Sequence, residues 1–255
     1  MLGYIINSFS CSKAGNSPDE NEDSFVAPPN ENLDGYFRIA VADGATESSF
    51  SKEWASLLVS YFYAFDFENE SFINSIHPVL KKSWLKMINA IDLPWYAQQK
   101  LELGAFASFL GVDVNLGSGE CNLMAVGDSN LFVFRNNVMV ISFPVEKAKN
   151  FSSTPFLISS DLHKNTLTES FFSREVFPLI AGDAVILGTD AIGQWILSEV
   201  ESQRDPLNTL YPLLVNNDHN DSFELWLTEQ RNSHKIKNDD TTIILIQFSD
   251  GTTER

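Results

Sequence analysis

Little in this chain offers soft-metal or redox chemistry. Cys11 and Cys121 are the only cysteines in 255 residues, and no C-x-x-C or comparable spacing relates them. That excludes a thiolate zinc cage, and the two read as ordinary reduced, partly buried thiols suited to a cytoplasm. Histidine is scarce as well. His77, His163, His219 and His234 lack ligand spacing and read as solvated or helix-face side chains. Basic residues number 17 against 34 acidic ones, for a formal charge of −17. Such a surface repels nucleic acid and anionic membranes, so neither is expected as a partner. No apolar run reaches membrane-spanning length, and the brief apolar start at residues 1–6 lacks the basic flank of a signal peptide. No G-x-G-x-x-G or G-x-x-x-x-G-K-[ST] string supports a nucleotide-binding loop. No repeat, low-complexity tract or linker divides the sequence, so residues 1–255 read as one domain with a sizeable core.

What is present is a strand-rich pattern with grouped helices. Strands are expected at residues 4–9, 24–27, 37–42, 105–114, 121–126, 131–135, 138–143 and 241–248. Gly117-Ser118-Gly119 and Asn136-Asn137 suit hairpin turns. Residues 176–180 and 184–187 look like a further strand pair around Gly182-Asp183. Trp54, Leu57, Leu58, Tyr61, Phe62 and Phe65 recur at helical spacing. Further helices are expected at 71–91, from Pro94, at 190–197, 206–215 and 221–231. The stretch 143–168, rich in serine and broken by Pro144 and Pro155, reads as a surface flap. Hairpins with grouped helices argue for an α+β sandwich over a doubly wound parallel sheet.

Against this background stand four short acidic strings: Asn21-Glu22-Asp23, Ala42-Asp43-Gly44, Thr189-Asp190-Ala191 and Asn238-Asp239-Asp240. Two follow an apolar strand-like run and one precedes such a run. Singly, each has an ordinary alternative: a solvated Glu22, an Asp43-Gly44 turn, an N-cap at Asp190, a turn charge at Asp239. Gathered by folding, strand-end carboxylates make a hard-oxygen site of the kind that Mg²⁺ and Mn²⁺ prefer. That points to metal-assisted hydrolysis of a phosphate ester.

Five ordered motifs over residues 4–248 resemble the metal-dependent protein phosphatases of the type 2C class, in their bacterial form. Residues 21–25 (Asn-Glu-Asp-Ser-Phe) look like that family's first motif, and residues 39–44, ending in Asp43-Gly44, like its second. Gly127-Asp128-Ser129 matches the Gly-Asp-Ser motif. Residues 181–190 resemble the strand-turn-strand that ends in a metal-binding aspartate, and residues 238–242 resemble the last motif. Residues 104–108 stand where a Gly-Thr/Ser-rich strand start is usual.

The resemblance implies a central β-sandwich of two antiparallel sheets flanked by helices. It also implies a dinuclear Mn²⁺ or Mg²⁺ centre. Asp43 would bridge both ions, Glu22 and the Gly44 carbonyl would complete one shell, and Asp190 and Asp239 would hold the other. Asp128 would support a third ion, with a turn aspartate as the alternative reading. Two ions about 3.5–4 Å apart lower the pKa of a shared water and offset phosphoryl charge. The implied activity is removal of phosphate from Ser or Thr of proteins, with a Ser/Thr kinase as the partner that it would oppose.

Three departures stand out. Pro18 lies where family members often carry a phosphate-gripping arginine, with Lys13 or Arg38 as spatial substitutes. Ala45 lies where some relatives carry an acid histidine. Asp190-Ala191 replaces Asp-Gly, which restricts the backbone. These leave two alternatives: a pseudophosphatase acting as a regulatory binding module, and a phosphatase of a small phosphorylated metabolite.

Overall fold

In the computed structural model, residues 1–30, 35–64, 72–89, 98, 101, 103–151, 154–163, 169–215 and 219–251 are described. Twelve strands run β1 (Leu2–Cys11), β2 (Asp23–Val26), β3 (Tyr36–Asp43), β4 (Phe106–Ala107), β5 (Phe109–Asn115), β6 (Glu120–Val126), β7 (Asn130–Arg135), β8 (Val138–Phe143), β9 (Ile158–Ser159), β10 (Ser173–Pro178), β11 (Ala184–Gly188) and β12 (Thr241–Asp250). Helices α1 (Ser51–Ala64), α2 (His77–Asn89), α3 (Asp190–Glu201), α4 (Pro206–Val215) and α5 (His219–Asn232) accompany them. The helix expected from Pro94 and the Phe65 position lie outside the described residues.

Two five-stranded antiparallel sheets face each other, one ordered β1-β12-β11-β7-β8 and the other β10-β6-β5-β3-β2. The strands alternate, but both faces are apolar. On β3, Phe37, Ile39 and Val41 point between the sheets, while Ala40 and Ala42 point out under α1. On β12, Ile244, Ile246 and Phe248 point inward, and Ile243 and Leu245 meet α3, α4 and α5. A sheet covered on both faces needs apolar residues at every position. That is why residues 243–246 form an unbroken Ile-Ile-Leu-Ile run. The result is a helix–sheet–sheet–helix sandwich, the architecture expected from the sequence.

Two sequence expectations fail. Residues 176–180 and 184–187 are not a hairpin pair. β10 spans Ser173–Pro178 and pairs with β6 in one sheet, while β11 pairs with β12 and β7 in the other. The Gly182 turn, with its φ of +91°, carries the chain across the sandwich. The described part of 143–168 is not a surface flap either. β9 pairs with β4, Ile158 and Ser159 are fully buried, and the Trp54 indole donates to the Ile158 carbonyl at 2.9 Å. Phe156, Leu157 and Ile158 make only a three-residue apolar run between Pro155 and Ser159, too short to mark a core strand.

Candidate metal centre

Every acidic string lands at the same end of the sandwich. Asp43 closes β3 and sits opposite Asp23, which opens β2. Asp128 lies in the turn that carries the chain from β6 in one sheet to β7 in the other. Asp190 follows β11 as the first residue of α3, and Asp239 precedes β12. A cleft of about 210 Å³ is lined by Asp43, Gly44, Asp128, Asp190, Lys237 and Asp239, with Pro155 and Leu157 on its wall.

Local hydrogen bonds hold these loops in place. The Asp43 N–H donates to Ser108 Oγ at 3.2 Å, the Ser108 N–H donates to the Asp43 carbonyl at 2.8 Å, and Ser108 Oγ pairs with Ser129 Oγ at 2.6 Å. Ser108 and Ser129 thus tie the strand-end acid to the Asp128 turn. Gly127 makes that closeness possible. Its φ is +95°, and a Cβ there would lie 2.7 Å from Ser108 Cβ. Gly44 is packed as tightly, since a Cβ would meet the Glu22 carbonyl at 2.9 Å. Asp240 stitches the first and last strings together, accepting from the Lys13 N–H at 2.7 Å and the Glu22 N–H at 2.8 Å. The buried Arg231 guanidinium donates to the carbonyls of Ser12 and Asp239 and so anchors the Asp239 turn. Thr189 Oγ1 donates to Asp23 Oδ2 at 3.0 Å across the two sheets.

The electrostatics are those of crowded like charges. Burial raises the pKa of Asp43 well above the usual carboxylate range, and the charges of Asp23, Asp190, Asp239 and Asp128 add to the shift. Burial, followed by Asp190, pushes Asp128 up to about 7. Burial also raises Asp190, with Lys237 pulling it back. Asp128 Oδ2 and Asp190 Oδ1 are buried without a hydrogen-bond partner among the described residues. Buried oxygens with no donor and mutual repulsion are the conditions that a hard cation relieves. The all-oxygen donor set fits Mg²⁺ or Mn²⁺ better than a softer ion.

Not all the expected residues converge. The Glu22 carboxylate turns away from the cleft, accepting from Ser51 Oγ at 2.6 Å with the Lys13 ammonium at 3.8 Å. Lys237 sits among the acids instead, its Nζ 3.1 Å from Asp190 Oδ2 and 2.6 Å from Asp239 Oδ2. Burial works against the Lys237 charge, but its bond to Asp239 and the charges of Asp190 and Asp239 outweigh that and raise its pKa. Among the described residues, no three acidic, histidine or cysteine side chains close around one ion position. Sequence reading missed Lys237, Ser108 and Arg231.

The departures also find their places. Arg38 does not reach the site: it pairs with Asp113 at 3.2 Å, five residues back along β3 from Asp43, or about 16 Å. Lys13 does lie nearby, its Nζ donating to Thr46 Oγ1 at 3.1 Å. Ala191 is buried within α3, so alanine suits the backbone there and the expected restriction costs nothing. His77 is buried rather than solvated, 2.7 Å from the Ser159 carbonyl.

No protein-family profile and no curated protein sequence matches the chain. Solved structures do. The catalytic domain of the serine/threonine protein phosphatase PstP, in complex with two manganese ions, superposes with a TM-score of 0.58 at 12% identity, over 98% of this chain and 100% of that one. The serine/threonine phosphatase of S. agalactiae gives 0.59 at 16%, over 96% and 99%. RsbX in complex with magnesium gives 0.52 at 18%, over 96% of each chain. At such identities the likeness establishes the architecture: the fold is that of the type 2C phosphatases, as the motifs implied.

Proposed function

We propose that this chain is a metal-dependent phosphatase acting on phosphoserine or phosphothreonine in proteins. The observation that carries the reading is the convergence of Asp43, Asp128, Asp190 and Asp239 on one cleft, in a fold whose solved examples include a manganese-bound and a magnesium-bound protein. Asp43 and the Gly44 carbonyl would hold two Mn²⁺ or Mg²⁺ ions together with Asp190 and Asp239, with Asp128 toward a third. Glu22 joins them by turning away from Ser51. Such ions, when bound, supply an activated water and offset charge on the phosphoryl oxygens.

The remaining work falls to the chain. Ser108 and the Asp128 turn fix where the Asp43 carboxylate points. Lys13 is the cation best placed to receive a phosphate oxygen in place of the arginine absent at Pro18, since it stands beside Thr46 at the mouth of the cleft. Pro155 and Leu157 keep one wall dry, which strengthens each charge interaction inside. The class of reaction that supplies the substrate is protein phosphorylation by a kinase. The reduced thiols at Cys11 and Cys121 suit a cytoplasmic setting. Among the described residues no helix is long and apolar enough to cross a membrane.

Hydrolysis of p-nitrophenyl phosphate and of Ser/Thr phosphopeptides, with and without Mn²⁺, tests the reading. Metal-dependent turnover of the peptides supports it. Turnover of phosphorylated metabolites in preference to peptides moves the substrate class. No metal-dependent turnover of any ester sinks the enzyme and favours a regulatory binding module, the second reading that Pro18 and the inserted Lys237 suggest.

A further inference from the structure

Among the described residues Lys237 is the one cation lining the acidic cleft, and the proposed function gives it no catalytic role. Its ammonium contacts both Asp190 and Asp239. These are the two carboxylates assigned to one ion. Its side chain is 53% exposed and rises from an irregular turn between α5 and β12, so half of it already faces solvent. Asp43, Asp128, Asp190 and Asp239 meet here in a chain of net charge −17, and a positive charge among them lowers their mutual repulsion.

Resting on the metal reading above, we propose that the Lys237 ammonium is a built-in competitor for the divalent ion of the Asp190–Asp239 pair. In the metal-free chain it balances these acids. To load the ion, the chain must swing Lys237 outward into solvent, which its exposed stem permits. Metal occupancy at this position is therefore tuned by a side chain of the protein itself, and activity would switch on at a higher metal concentration than the carboxylates alone would set. Two half-exposed ion pairs, near the upper end of the usual range, amount to about tenfold in affinity.

Titration calorimetry of Mn²⁺ into the full chain tests this, with Lys237→Met, Lys237→Arg and Lys235→Met beside the wild type. Lys235→Met removes the same unit of charge from an exposed neighbour that makes no contact with the cleft. The expected result is about tenfold tighter binding for Lys237→Met, with the other two within about twofold of wild type. The metal-free Lys237→Met protein should also melt at a lower temperature and regain the loss when Mn²⁺ is added. If the wild type binds Mn²⁺ and Lys237→Met binds no tighter, the competition is wrong while the metal centre stands. Equal tightening in Lys235→Met likewise overturns it, because bulk charge would explain the gain. If neither wild type nor Lys237→Met binds Mn²⁺ at millimolar concentration, both proposals fall. Should Lys237→Met not fold, Lys237→Gln replaces it, since glutamine is polar and uncharged.

Discussion

At the scale of single residues, Asp43 is the acid on which the others act. Asp43→Asn removes one charge from the crowd yet keeps the shape and the bonds to Ser108. It should lower metal-dependent turnover by about 100-fold or more, beyond the roughly 10–100-fold that losing an outer partner of a metal ligand costs. It should also raise the melting temperature of the metal-free protein, because four neighbouring acids lose a repulsive partner. Loss of activity with a lowered melting temperature would mean that Asp43 serves the fold instead. Gly127→Ala should destabilise by about 2–3 kcal/mol in urea unfolding, since the added Cβ must take a left-handed φ and press on Ser108. Asp43, Asp128, Asp190 and Asp239 each stand next to an apolar strand in the sequence, and the fold brings those four to one cleft. Lys237 was not legible, because nothing in a chain with 17 basic residues marks the one that folds back among carboxylates.

Elements carry the next layer. The β7–β8 hairpin turns through Asn136 and Asn137, both left-handed at φ 52° and 61°, so asparagine is a compromise that glycine would improve. Asn137→Gly should stabilise by about 1 kcal/mol, and Asn137→Val should destabilise by at least as much, both read from urea midpoints. Helix α2 opens on His77, whose ring packs edge-on against Trp54 and lies beside the Ser159 carbonyl. Burial lowers its pKa, so the folded chain keeps the ring neutral after the unfolded chain has begun to take up a proton. Its contribution is whole above about pH 6.5 and is lost as the pH falls through the folded value. His77→Gln should therefore flatten the decline in melting temperature between about pH 7 and pH 5. Parallel curves for both proteins would show that another group is responsible. Most strands and helices followed from periodicity. The β10–β11 crossing did not, because two apolar runs around a Gly-Asp turn look the same whether they pair or part.

For the whole molecule, a divalent cation that binds only the folded state must raise its stability. Mn²⁺ at about 100 times its dissociation constant should add about 2.7 kcal/mol, or roughly 5–10 °C in a chain of this size. A chelator should reverse the gain, and Na⁺ at equal ionic strength should not reproduce it. An unmoved melting curve would argue against any folded-state metal centre. The sandwich itself was readable, because two-sided burial leaves unbroken apolar runs that helices must cover. The angle at which each carboxylate enters the cleft was not readable, since it depends on partners such as Ser108 for Asp43 and Lys237 for Asp190, 65 and 47 residues away, that no local pattern announces.

One feature of the sandwich reaches further than the cleft. Asp43 and Asp23 hang from one sheet, Asp190 and Asp239 from the other, and the Asp128 turn, the Thr189–Asp23 bond and the Glu22–Asp240 bond are stitches between them. The reactive end is thus a seam, and its gauge is set by how the Ile, Leu and Val side chains between the layers interlock. Trimming Val112 or Ile246, both buried between the sheets and absent from the lining of the cleft, would let the layers slide and spread the jaws of the seam. Interior hydrocarbon would then govern how tightly an ion is gripped.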